Sequence, residues 1–198
     1  ADLRGRGYGL KIWRAAIAHA AGRVIGLDGV VAQQANYRKS GFKIAYANVR
    51  YGGTVTAPTA PKAGIIALRD VPFAVIEADD ATVFPAPRPN FLRAWIDAPG
   101  HVGCALMRDG RLSAWGVIRP CRQGRKVGPL VADDRASAEA VVSALLTESV
   151  GGEIFLDVPA INRDAVALAQ DLGLSPVFET ARSYTGSIPP LQIPRVSG

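Results

Sequence analysis

An α/β fold built on a mixed sheet is what this sequence predicts, and three observations predict it. Segments with the 3.6-residue apolar period of helices alternate with β-branched runs along the whole chain. The order helix, strand, helix, strand occurs twice, about 130 residues apart, as in a diverged internal duplication. Between the copies, Asp109-Gly110 separates two apolar runs and so adds an antiparallel hairpin to the βα units.

The elements follow in order. Trp13, Ala16, Ile17, Ala20 and Ala21 recur at helical spacing from Leu10 onward, which predicts a helix with one buried face, stopped by Gly22. "RVIGLDGVV" reads as a strand, "AQQANYRKS" as a short helix closed by Gly41, and "FKIAYANVRY" as a strand ended by Gly52-Gly53. Residues 54–64 are small, Pro-rich and aperiodic, the composition of a linker. A new unit begins near "VPFAVIEADD"; Asn90 is placed to cap a short helix over "NFLRAW". The hairpin of residues 101–120 comes next, then a strand "RKVGPLVAD" and a helix carried by Ala138, Val141, Val142, Leu145 and Leu146. The second copy closes the chain: Gly151-Gly152, strand "EIFLDV", helix "NRDAVALAQDL", Gly173 and strand "PVFETARSYTG".

Charge is unevenly divided. Residues 1–56 hold nine Lys or Arg against Asp2 and Asp28, whereas the whole chain nets +6, so the remainder is about neutral. That asymmetry points to an anionic partner for the N-terminal quarter, a nucleotide-like cofactor or nucleic acid, or else to solvated basic faces. No apolar stretch reaches the roughly 18 residues of a membrane span. Cys104 and Cys121 lack metal-site spacing and only two histidines accompany them, so neither a metal site nor a disulfide framework is expected, and the default compartment is the reducing cytoplasm.

The stretch most suggestive of chemistry is "RGRGYG", Arg4 to Gly9, directly before the first helix. A helix start offers unpaired backbone N–H groups and the positive end of the macrodipole, and glycines let the backbone close around a phosphate. Arg4 and Arg6 add guanidinium forks suited to phosphate oxygens. A structural turn is the alternative reading.

Arg4-x-x-Gly7-x-Gly9 resembles the pyrophosphate-binding signature of the GNAT superfamily of N-acetyltransferases, Gln/Arg-x-x-Gly-x-Gly/Ala at the start of a helix. Tyr37-Arg38-Lys39-Ser40-Gly41-Phe42, preceded by Asn36, resembles that superfamily's Tyr-x-Lys-x-Gly-Phe segment. The later region, from "RDGRLSAWGVIRP" to "FETARSYTG", is similar to the C-terminal domain of one group of tandem GNAT-like acetyltransferases, so the resemblance covers most of the chain.

This resemblance implies a GNAT-like α/β fold in two parts: residues 1–53 as the C-terminal half of one domain, 54–70 as linker, and 71–198 as a degenerate second domain. A complete domain of the family begins with several strands and helices before its glycine loop, and only "ADL" precedes it here. The first domain is therefore expected to lack the strands that normally hold the pantetheine arm. The implied activity is transfer of an acetyl group from acetyl-CoA to an amine of a small molecule or a protein. Tyr37 would protonate the departing thiolate; the N–H groups around Gly5, Gly7, Tyr8 and Gly9 would bind the pyrophosphate with Arg4 and Arg6. Asn36 would contact the pantetheine or serve at a helix start. In the second copy the stretch aligned with the glycine loop is "VGPLVADD", with one glycine, Pro129 in place of an N–H, and Asp133-Asp134 where phosphate would sit. That copy is not expected to bind CoA. Phe91 and Trp95 either line a pocket or pack, and neither His19 nor His101 has a partner that makes it catalytic. The alternatives are a noncatalytic module whose basic quarter binds nucleic acid, and a CoA-binding pseudoenzyme.

Overall fold

The computed structural model describes residue 3 and residues 5–20, 22–55 and 63–198. The chain divides into two compact units, residues 1–45 with 181–188, and residues 46–180 with 189–198. The Pro-rich part of the expected linker, residues 56–62, lies outside the described residues, as does Ala21.

The first unit contains helix α1 (Tyr8–His19), strand β1 (Gly26–Val30), a single 3-10 turn and helix α2 (Gln34–Lys39). Strand β2 (Lys43–Thr54) starts in this unit and strand β8 (Ser175–Tyr184) ends in it, beside β1. The apolar stripe on α1 is narrower than its spacing predicts: Trp13 and Ile17 are half-buried and Ala16 is exposed. Trp13 does most of the packing. Its ring lies 5.6 Å from those of both Tyr37 and Phe42, and its Nε1 donates to Ser40 Oγ at 3.1 Å. The chain reverses after α2 in a Schellman motif, with the Phe42 N–H donating to the Tyr37 carbonyl and the Gly41 N–H to that of Arg38. Asn36 therefore lies inside α2 and not at its start, because the 3-10 turn of Val31–Gln33 has already begun the helical path. Asp28 on β1 receives a two-pronged ion pair from Arg182 on β8, at 2.6 and 2.7 Å.

The second unit holds seven strands in the order β8-β2-β7-β6-β5-β4-β3, where β3 is Ile65–Ala67, β4 Val102–Arg108, β5 Arg111–Pro120, β6 Arg125–Ala132 and β7 Glu153–Pro159. β6 and β7 run parallel and the other registered pairs are antiparallel, so the sheet is mixed, as expected. Alternation on β5 divides the core. Ala114 and Ile118 face helices α5 (Arg135–Leu146) and α6 (Arg163–Asp171), while Trp115 and Val117 face helices α3 (Phe73–Val83) and α4 (Pro89–Ile96). The β4–β5 turn is as read from the sequence, with Asp109 at φ 48° and Gly110 at φ 76°.

Two local expectations are corrected. α4 begins at Pro89 after Arg88, so Asn90 sits within its first turn; proline at the first helical position outranks the asparagine as a start signal. β2 does not end at Gly52-Gly53 but runs through them, paired with Phe155 and Ile154. A Cβ on Gly52 would come within 2.9 Å of the Phe155 ring, so the glycine makes room for a cross-strand aromatic.

Beside Gly52, Arg50 donates to both Asp157 oxygens at 2.6 and 3.0 Å, and Lys126 donates to the same carboxylate. Burial pushes the Asp157 carboxyl up, but the hydrogen bonds from Arg50 and Lys126 outweigh it and hold the group below the ordinary 3.8. A carboxylate depressed on folding adds stability that is complete above its unfolded pKa and is lost as pH falls through the folded one. Unfolding by urea at stepped pH is expected to show the native chain losing stability below about pH 4 more steeply than Asp157→Asn. Equal slopes in the two chains would contradict it.

Candidate functional site

The glycine loop becomes the N-terminus of α1. Gly7 is the N-cap residue and takes the left-handed conformation, φ 76° and ψ 3°. That backbone explains the glycine, since other residues are strained there. Among the described residues no side chain caps the helix, and no acidic residue stands in its first turn. A Cβ built on Gly5, Gly7 or Gly9 would meet nothing within 4 Å, so the loop faces open space. Its free amides and positive helix end favour an anion. Basic groups flank it: Arg6 Cζ lies 5.7 Å and Lys11 Nζ 5.9 Å from the centre of the half-exposed Tyr8 ring. Arg4 lies outside the described residues.

Tyr37 stands on α2. Its half-buried ring is held between Trp13 and Phe42, at 5.6 and 6.4 Å, and a Cβ on Gly29 of β1 would come within 2.6 Å of it. The phenol hydroxyl has no hydrogen-bond partner among the described residues. Trp13 joins the two sequence motifs, carried six residues along α1 from Gly7, or about 9 Å at the helical rise. Asn36 is exposed, and its amide donates to Gln33 Oε1 at 2.7 Å. Sequence reading missed an open depression of about 430 Å³ where α2 turns into β2, lined by Arg38, Gly41, Phe42, Lys43 and Ile44. The two cations at its rim were present in the sequence, but nothing local says that the Schellman turn brings them together.

In the second unit the aligned stretch is built differently. Asp134 caps α5, accepting from Ser137 N at 2.7 Å and Ser137 Oγ at 2.8 Å. The Ser137 backbone N–H, then its hydroxyl and Arg108, hold the Asp134 carboxyl below its usual range. Phe91 and Trp95 stack at 5.5 Å; Trp95 Nε1 donates to the Gly128 carbonyl at 3.2 Å, and the His101 ring meets Trp95 edge-on at 4.8 Å. These rings pack against each other and the β6 backbone. His19 is exposed. Among the described residues no cluster of metal-ligating side chains occurs, and no helix is long and apolar enough to cross a membrane.

The family model of the acetyltransferase (GNAT) domain matches residues 76–197, more than half of the chain. The chain belongs to the GNAT acetyltransferase domain family. This GNAT match leaves the glycine loop and Tyr37 outside it. The holothin acyltransferase of Pseudoalteromonas sp. (strain SANK 73390) is 27% identical over 188 residues, 94% of this chain and 64% of that protein. A candidate acetyltransferase from Pyrococcus horikoshii has the same GNAT fold, with a TM-score of 0.83, 23% identity, and coverage of 98% of this chain and 65% of its own. A tandem GNAT protein from the clavulanic acid biosynthesis pathway matches with a TM-score of 0.60 and 15% identity over 93% of this chain and 72% of that one. The chain thus spans a little under two thirds of the first two relatives.

Proposed function

We propose that the protein is an acetyl-CoA-dependent N-acetyltransferase of tandem architecture, with its cofactor site at the glycine loop and a second GNAT-like unit that does not bind the cofactor. The observation that carries this reading is the start of α1, where a left-handed Gly7 precedes amides that, among the described residues, no side chain caps and no acidic residue of the first turn faces. The residues fit a pyrophosphate: Gly5, Gly7 and Gly9 leave it room, the N–H groups of Tyr8 and Gly9 donate, and Arg6 supplies charge. Arg4 is assigned by its motif position alone. Acetyl-CoA supplies an activated thioester when bound. Tyr37, with an unengaged hydroxyl on a rigidly packed ring, donates a proton to the leaving sulfur. Asn36, exposed on the same helix, is assigned to the pantetheine.

The acceptor is an amine. The name of the holothin acyltransferase favours a small molecule over a protein lysine. The nucleic-acid alternative draws no support from these relatives. We place the protein in the cytoplasm, where Cys104 and Cys121, free thiols in this structure, stay reduced.

The test is calorimetric titration of the protein with acetyl-CoA. Binding in the micromolar range is expected. A folded protein that binds none would overturn the reading.

A further inference from the structure

We infer that the second unit carries, in its own chain, the groups that occupy both places an acyl-CoA would need, so that residues 196–198 act as a built-in strand in the sheet. The inference rests on the reading above that acyl-CoA is the cofactor. It adds what fills the second copy.

Parallel pairing of β6 with β7 stops early. Its register covers Arg125 with Ile154, Lys126 with Phe155 and Val127 with Leu156. Past that point the two strands part, and the backbone of β6 would be left with unpaired donors and acceptors inside a sheet. An arm containing amides could satisfy them. Here the chain's own last residues do so: Leu130 N donates to the Gly198 carbonyl at 2.9 Å, Ser197 N donates to the Leu130 carbonyl at 2.9 Å, and Val196 bridges Val131 in antiparallel fashion. The gap is filled from side to side. A Cβ on Gly198 would lie 2.5 Å from Leu156 Cδ1 of β7 and 3.2 Å from Leu130 Cβ of β6.

Two side-chain anchors hold this segment. The buried Asn162 at the start of α6 donates its amide to the carbonyls of Ile193, Pro194 and Val196 at 3.2, 3.1 and 2.8 Å. Arg195 reaches Asp79 at 2.7 Å, Thr82 Oγ1 at 2.5 Å and Asp133 at 3.0 Å, and Asp79 in turn accepts from Nε1 of the fully buried Trp115 at 2.8 Å. The pyrophosphate position is taken as well, because the Asp134 carboxylate occupies the first turn of α5. The corresponding end of α1 has, among the described residues, neither a side-chain cap nor an acid in its first turn. Peptide thus stands where an arm would pair, and carboxylate where phosphate would bind. The second unit thus leaves no place for an acyl-CoA.

Amide hydrogen exchange followed by NMR on the intact chain tests this directly. The amides of Leu130 and Ser197 are expected to exchange as slowly as that of Trp115 and to be unmoved by millimolar coenzyme A. In Ser197→Pro, which deletes the donor to the Leu130 carbonyl, Leu130 exchange is expected to accelerate at least tenfold while Trp115 stays protected. Fast exchange at Leu130 in the native chain overturns the inference, and so does protection there that coenzyme A changes. The native measurement remains readable if the variant does not fold. Failure of coenzyme A to alter the amides of Tyr8 and Gly9 would count against the glycine-loop reading alone.

Discussion

Gly7→Glu is expected to weaken acetyl-CoA binding about 100-fold, with little loss of fold. The two effects separate because the position is open. A side chain at Gly7 meets nothing within 4 Å, so the cost to the fold is the left-handed backbone at φ 76°, about 1 to 2 kcal/mol. Part of that is offset, since a carboxylate at a helix N-terminus interacts favourably with the macrodipole. The ligand gains nothing from this. The same carboxylate competes for the Tyr8 and Gly9 amides and repels a pyrophosphate, and losing one or two charge-assisted hydrogen bonds amounts to about 3 kcal/mol. Calorimetry beside a thermal melt reads both quantities. An unchanged affinity would make the loop a structural turn.

How much of this was legible in the sequence depends on how local each signal is. The helices α1, α5 and α6 announce themselves by apolar spacing, and the turn at Asp109-Gly110 by its chemistry, because each is decided within a few residues. The glycine loop is of the same kind, with its left-handed residue at Gly7 directly before the helix. What the sequence hid is pairing at a distance. β2 lies between β7 and β8, and the Arg50–Asp157 contact that accompanies this placement joins residues 107 apart. Gly52-Gly53 looked like a stop because a turn and a close cross-strand approach ask for the same residue. The closing segment was invisible for a similar reason: Asn162 and Arg195 carry no motif, and their partners come from α3, from Asp133 just after β6 and from residues 193–196. Tyr37 stands between these cases. Its motif was readable, but its support by Trp13 from α1 was not.

That support makes Tyr37→Phe the sharpest test of its role. Phenylalanine keeps the ring that packs between Trp13 and Phe42 and fills the space beside Gly29, so fold stability should not change. It removes only the hydroxyl, and that hydroxyl has no partner among the described residues whose loss would cost stability. If the phenol supplies the proton taken up by the leaving sulfur, kcat falls about 100-fold, equivalent to about 2.7 kcal/mol of transition-state stabilisation. The KM for acetyl-CoA stays where it was, since the cofactor's phosphates are held at the other motif. Release of free thiol, followed with a saturating amine, measures both constants. A purely packing role predicts the opposite pattern: Tyr37→Phe would turn over like the native enzyme, whereas Tyr37→Ala would lose stability by about 3 kcal/mol as the ring cavity opens beneath Trp13. The pair of variants therefore separates the hydroxyl from the ring, because the two roles depend on different atoms of one side chain.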